Sequence, residues 1–93
     1  MGMITKDNIV RHELIGLKVK VTSSTNKTIE GLAGLVVDET KNMLFIEKRN
    51  GKVSMVAKKD CTFSFILPNG ERVLVSGKDI VGRPEDRIKR KKR

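Results

Sequence analysis

The sequence predicts an all-β domain, a small antiparallel barrel of five to seven short strands with short helices only at its ends. Three observations carry this. From Ile15 onward apolar residues recur with period two, as a sheet with one wet face requires. Turn signals, Asn50-Gly51 and Pro68-Asn69-Gly70 among them, cut the chain into segments of strand length. Ninety-three residues with 38% apolar content give one small core and no second domain.

At the N-terminus, Thr5 is placed to cap a short helix, with Ile4 before it able to pack on Ile9. The helix should end around Glu13, before Gly16. Its stripe of Ile9, Val10 and Leu14 either joins the core, the commoner use of such stripes, or meets a partner. Leu17, Val19 and Val21 then alternate with Lys18, Lys20 and Thr22 as a first strand, and residues 23–28 (SSTNKT) read as a loop. Gly31 and Gly34 interrupt the run 29–39, which marks a bulge or sharp bend of the kind a closed barrel needs at its corners.

A turn at 38–42 leads into Met43–Arg49, and Asn50-Gly51 predicts a type I′ hairpin to 52–58, because that turn needs positive φ at both central residues. Phe63, Phe65 and Leu67 alternate through 62–67, Pro68-Asn69-Gly70 turns the chain into 71–77, and Ile80-Val81 suggests a last short strand. With no Trp or Tyr, the core falls to Val, Ile, Leu and the three phenylalanines. Pro84 at a helix N1 position, Glu85 and Asp86 in the first turn and bases thereafter describe a short C-terminal helix aligned with its dipole. Strand lengths suit SH3-like or Sm-like barrels better than an OB barrel. The expected division is an N-terminal helical arm at 1–14, a barrel at 15–82 and a basic helix or tail at 83–93.

Net charge is +9, of which residues 83–93 carry +5 and residues 1–82 carry +4. Both parts are basic, which points to an anionic partner, nucleic acid first. Lys18 and Lys20 share the wet face of the first strand, Lys27 lies in the loop after it, and Lys48, Arg49 and Lys52 surround the Asn-Gly hairpin. Lys58 and Lys59 open the next strand, with Arg72 and Lys78 later. Together they form a phosphate-neutralising set. Without Tyr or Trp to stack bases, the expected target is a folded RNA read by backbone and shape.

Enzymatic chemistry finds little support. One Cys (Cys61) and one His (His12) cannot build a Cys/His zinc site, and no motif pairs them as nucleophile and base. Asp38-Glu39 and Glu85-Asp86 do not read as a two-metal centre, since strand neighbours face opposite ways. A lone cysteine, no signal-peptide core and no apolar run of membrane length together predict a cytoplasmic protein.

The stretch 12–47 (HELIGLKVKVTSSTNKTIEGLAGLVVDETKNMLFIE), with FSFILPNG at 63–70 and GRPEDRIKRK at 82–91, resembles the archaeal ribonuclease P protein component 1 family, related to a eukaryotic subunit of ribonuclease P and ribonuclease MRP. Its most specific parts are STNKT, GLVVDETKN and RPEDR. The resemblance implies an Sm-like or SH3-like barrel and a subunit that is no enzyme on its own. It would support the RNA specificity domain while the RNA, with magnesium, removes the 5′ leader of precursor tRNA. It also implies no cofactor bound by this chain, a monomer when alone and a heterodimer with a small zinc-ribbon subunit. By motif, Lys18, Lys20, Lys27, Arg83, Arg87, Lys89 and Arg90 would contact RNA, Ile9, Val10 and Leu14 would face the zinc-ribbon partner, and Asp38, Glu39 and Asn42 would set a turn. The competing readings are a ribosomal SH3-like protein, an Sm-like interaction module and a nuclease in its own right.

Overall fold

In the computed structural model the described residues are 8–88, without the side chains of Pro84 and Ile88. Six antiparallel strands form one sheet: β1 (Lys18–Ser24), β2 (Ala33–Glu39), β3 (Met43–Glu47), β4 (Val53–Ala57), β5 (Cys61–Ile66) and β6 (Arg72–Ser76), in the order β4-β3-β2-β1-β5-β6. The only α-helix of the described residues is α1, Pro84–Ile88. The inner face gathers Leu17, Val19, Val21, Val36, Leu44, Ile46, Val56, Phe63, Phe65 and Ile80 into a single apolar core. Phe63 and Phe65 sit at its centre with ring centroids 5.8 Å apart, a contact that adds about 0.5–1.5 kcal/mol beyond simple burial. Phe45 differs from expectation. It lies half-buried on the outer face opposite Met55.

Two bulges bend the sheet and change which side chains point inward. In β1 the register shifts between Val21 and Ser23, so Val21 and Ser24 are both buried although three positions apart. In β2 it shifts between Val36 and Asp38, and Val36 and Glu39 are both buried for the same reason. Strict alternation would have put Glu39 in water; the bulge turns it into the core.

The Asn-Gly hairpin forms, but not with a type I′ turn. The Gly51 N–H donates to the Lys48 carbonyl, the Lys48 N–H donates to the Lys52 carbonyl, and only Gly51 takes positive φ. Leu67 to Glu71 repeats the pattern, with Gly70 at φ 89°. Both are three-residue loops, a type I turn closed by a left-handed glycine. In each, the Asn side chain accepts from the backbone N–H two residues on, Asn50 from Lys52 and Asn69 from Glu71, which favours the type I turn over I′.

Both ends of the fold depart from the sequence reading. Ile9–Arg11 is one 3₁₀ turn, and the chain is already extended at His12, rather than helical to Glu13; Thr5 and Ile4 lie outside the described residues. Extending here lets both Ile9 and Leu14 enter the core, a gain that outweighs the weak helix preference of the β-branched pair Ile9-Val10. Gly77–Ile80 forms a 3₁₀ turn in place of the expected last strand at Ile80-Val81. A Cβ at Gly77 would overlap the Lys58 carbonyl, so this close approach requires glycine.

Candidate nucleic-acid interface

Strand register builds the basic surface from the backbone upward. Across the outer face it aligns Arg72 with Ile66, Ile66 with Lys18, Lys18 with Leu35, Leu35 with Glu47 and Glu47 with Val53. The next row brings Lys20 between Ser64 and Ala33. Polar heads therefore alternate with apolar side chains at the strand spacing of roughly 4.8 Å. With Lys48 and Arg49 from the β3–β4 hairpin, all of these but Val53 line a groove of about 810 Å³. Five of the sequence-predicted RNA contacts thus converge in one place: Lys18, Lys20, Lys48, Arg49 and Arg72.

The other candidates are dispersed. Lys52 lies exposed opposite Lys48 where the hairpin loop closes, Lys78 is exposed on the turn after β6, and Arg83 is exposed just before α1. Lys27 is exposed and paired with Glu30 at 3.1 Å. Glu30 also accepts from the Ser24 N–H at 3.0 Å; that hydrogen bond first, then Lys27, holds its carboxyl below the usual range. Lys89 and Arg90 lie outside the described residues.

Arg87 overturns its expected role. Instead of facing RNA, it is fully buried. Its Nε donates to the Val10 carbonyl at 2.9 Å, and Nη2 to the His12 carbonyl at 2.9 Å and Glu39 Oε1 at 3.3 Å. Nη1 donates to Glu39 Oε2 and to the carbonyls of Gly82 at 2.6 Å and Ile80 at 3.2 Å. Lys58, expected among the phosphate-neutralising bases, is equally buried. Its Nζ donates to Glu39 Oε2 at 2.7 Å and to the carbonyls of Thr40 at 2.7 Å and Gly82 at 2.9 Å. One carboxylate and two cations therefore tie α1, the N-terminal turn and the β2–β3 connection into one clasp. Glu39, expected only to set a turn, is its centre. The turn itself is closed by Thr40, whose N–H donates to the Met43 carbonyl and whose Oγ1 accepts from the Met43 N–H.

The expected partner face also changes. Ile9 and Leu14 are in the core at 1% and 0% exposure, which leaves neither free to face another protein; Val10 packs half-buried against that core. Cys61 is buried with its Sγ 3.5 Å from Ser24 Oγ. Burial pushes its thiol up, against the pull of the Ser24 contact, which keeps it a packing residue. Among the described residues, no helix is long and apolar enough to cross a membrane.

Fold and surface define a class: a small Sm-like or SH3-like antiparallel barrel with a basic groove across its outer face. Residues 7–90 match the family model described as ribonuclease P/MRP, subunit p29. The chain is 48% identical over 85 residues to ribonuclease P protein component 1 of Staphylothermus marinus, covering 91% of this chain and 92% of that protein. It is 50% identical over 89 residues to the protein of that name from Methanothermobacter thermautotrophicus, covering 96% of each. The solved structure of Mth11, a homologue of the human RNase P protein Rpp29, superposes with a TM-score of 0.61 at 47% identity, covering 83% of this chain and 99% of that one. The chain belongs to the ribonuclease P/MRP p29 subunit family.

Proposed function

We propose that this chain is an RNA-binding, non-catalytic subunit of ribonuclease P. It holds the specificity domain of the RNA during 5′ maturation of precursor tRNA in the cytoplasm, while cleavage rests with the RNA and its magnesium. The observation that carries this is the groove, where Lys18, Lys20, Lys48, Arg49 and Arg72 meet on one face. Lysine and arginine heads set among apolar side chains neutralise phosphates along the outer face of the sheet. The zinc-ribbon subunit is proposed as the protein partner and the chain as a monomer without it. Its docking surface is then something other than Ile9 and Leu14, and the chain needs no cofactor of its own. The terminal segments 1–14 and 83–93 are proposed to serve this subunit from positions joined to the barrel, the first through Ile9 and Leu14 in the core and the second through Arg87 in the clasp.

Reconstitution tests the reading. Ribonuclease P RNA and its protein subunits are assembled with and without this chain, and precursor-tRNA cleavage is followed at limiting magnesium. Omission is expected to reduce cleavage; unchanged cleavage would refute the proposal.

A further inference from the structure

Among the described residues, Glu47 is the one acid lining the groove. It is exposed, and among the described residues its side chain forms no hydrogen bond or ion pair, even with five cations around the same groove. Its position is fixed by the backbone. Glu47 pairs with Leu35 on one side and Val53 on the other, and a Cβ at Gly34 would overlap the Glu47 carbonyl. A backbone this constrained fixes the point from which the Glu47 carboxylate reaches into the groove.

A carboxylate among phosphate-binding cations repels the backbone it shares the groove with, unless a hydrogen-bond donor reaches it. Nucleotides carry two kinds of neutral donor, the ribose 2′-hydroxyl and the N–H groups of base edges. We propose that Glu47 is the specificity-determining acceptor of the groove, taking such a donor from the RNA while Lys18 and then Arg72, farther along the same row, hold phosphates to one side of it. This rests on the groove being the RNA site. On this view, five cations supply affinity without discrimination, and one carboxylate selects the nucleotide presented beside them.

The test compares Glu47→Ala with wild type for binding to ribonuclease P RNA and to an unrelated structured RNA of equal length. RNA carrying scattered 2′-deoxy or inosine substitutions is included to locate the donor. The expected result is a fall of about tenfold in the ratio of the two affinities, with interference abolished at a 2′-deoxy position for a ribose contact or an inosine position for a base contact. Equal tightening on both RNAs with an unchanged interference map would overturn the proposal, because Glu47 would then be only a repulsive charge. Failure of the groove reading is separate: it would show as Lys20→Ala and Arg72→Ala leaving RNA affinity untouched.

Discussion

Arg72 and Arg87 are the same residue type in two opposite settings. Arg72 stands exposed on an edge strand, one of a row of heads spaced by the sheet, and among the described residues no hydrogen bond or ion pair uses its charge. Arg87 is sealed from water, with its guanidinium spread over Glu39 and the carbonyls of Val10, His12, Ile80 and Gly82. The groove leaves its charges in water, where a polyanion can exchange with counterions. The clasp removes its charges from water and offsets the desolvation with a full set of hydrogen bonds. Positive charge alone therefore does not mark a binding residue; what its donors already hold decides.

Loss of Glu39 should disturb the clasp most. Glu39→Leu leaves Lys58 and Arg87 buried without a counter-charge, which should cost about 3–5 kcal/mol and lower Tm by more than about 12 °C in a domain of this size. Thermal or urea unfolding measures it, and a melt within a few degrees of wild type would show that the clasp carries no stability. The triple change Glu39→Leu, Lys58→Met, Arg87→Met sharpens the point. Replacing a buried ion set with apolar residues is often neutral. Here the carbonyls of Val10, His12, Ile80 and Gly82 are left without their donors, so the triple should recover only part of the stability.

Groove charges should behave in the opposite way. Lys20→Ala combined with Arg72→Ala is expected to leave unfolding within about 0.5 kcal/mol of wild type. It should also flatten the dependence of log K on log salt for RNA by about 0.7–0.9 for each phosphate no longer neutralised. An unchanged salt slope would remove these two residues from the interface.

Much of the fold was legible because period two, Asn-Gly and Pro-Asn-Gly act locally. Val19, Val21, Phe63 and Phe65 face inward as alternation requires. Lys18 and Lys20 were legible as candidate contacts for the same reason, but their union with Arg72 depends on the register of β1 with β5 and of β5 with β6, and with Lys48 on that of β1 with β2 and of β2 with β3, which no local pattern states. The clasp stayed hidden for a related reason. Glu39 points inward only because of the bulge at Val37, and Arg87 reaches Glu39, His12 and Val10 across 48, 75 and 77 positions of sequence. In Arg83-Pro84-Glu85-Asp86-Arg87 the helix start was readable from Pro84 and the two acids. That its two arginines have opposite fates, Arg83 exposed and Arg87 buried, was not.

The smallest effect separates a surface carboxylate from a buried one. Glu30 sits on the loop between β1 and β2, held by the Ser24 N–H and by Lys27, and these contacts lower its pKa in the folded state. A lowered folded value means that the unfolded chain binds the proton more readily. The stabilisation is therefore complete above the ordinary carboxylate range, about pH 4.3, and fades as pH falls through the depressed folded value. Glu30→Gln should melt slightly below wild type at neutral pH, and the gap should close in strong acid. Melts at both ends of that range check it: a gap that persists in acid would mean the residue acts by packing or turn geometry, since charge linkage must vanish once both states are protonated.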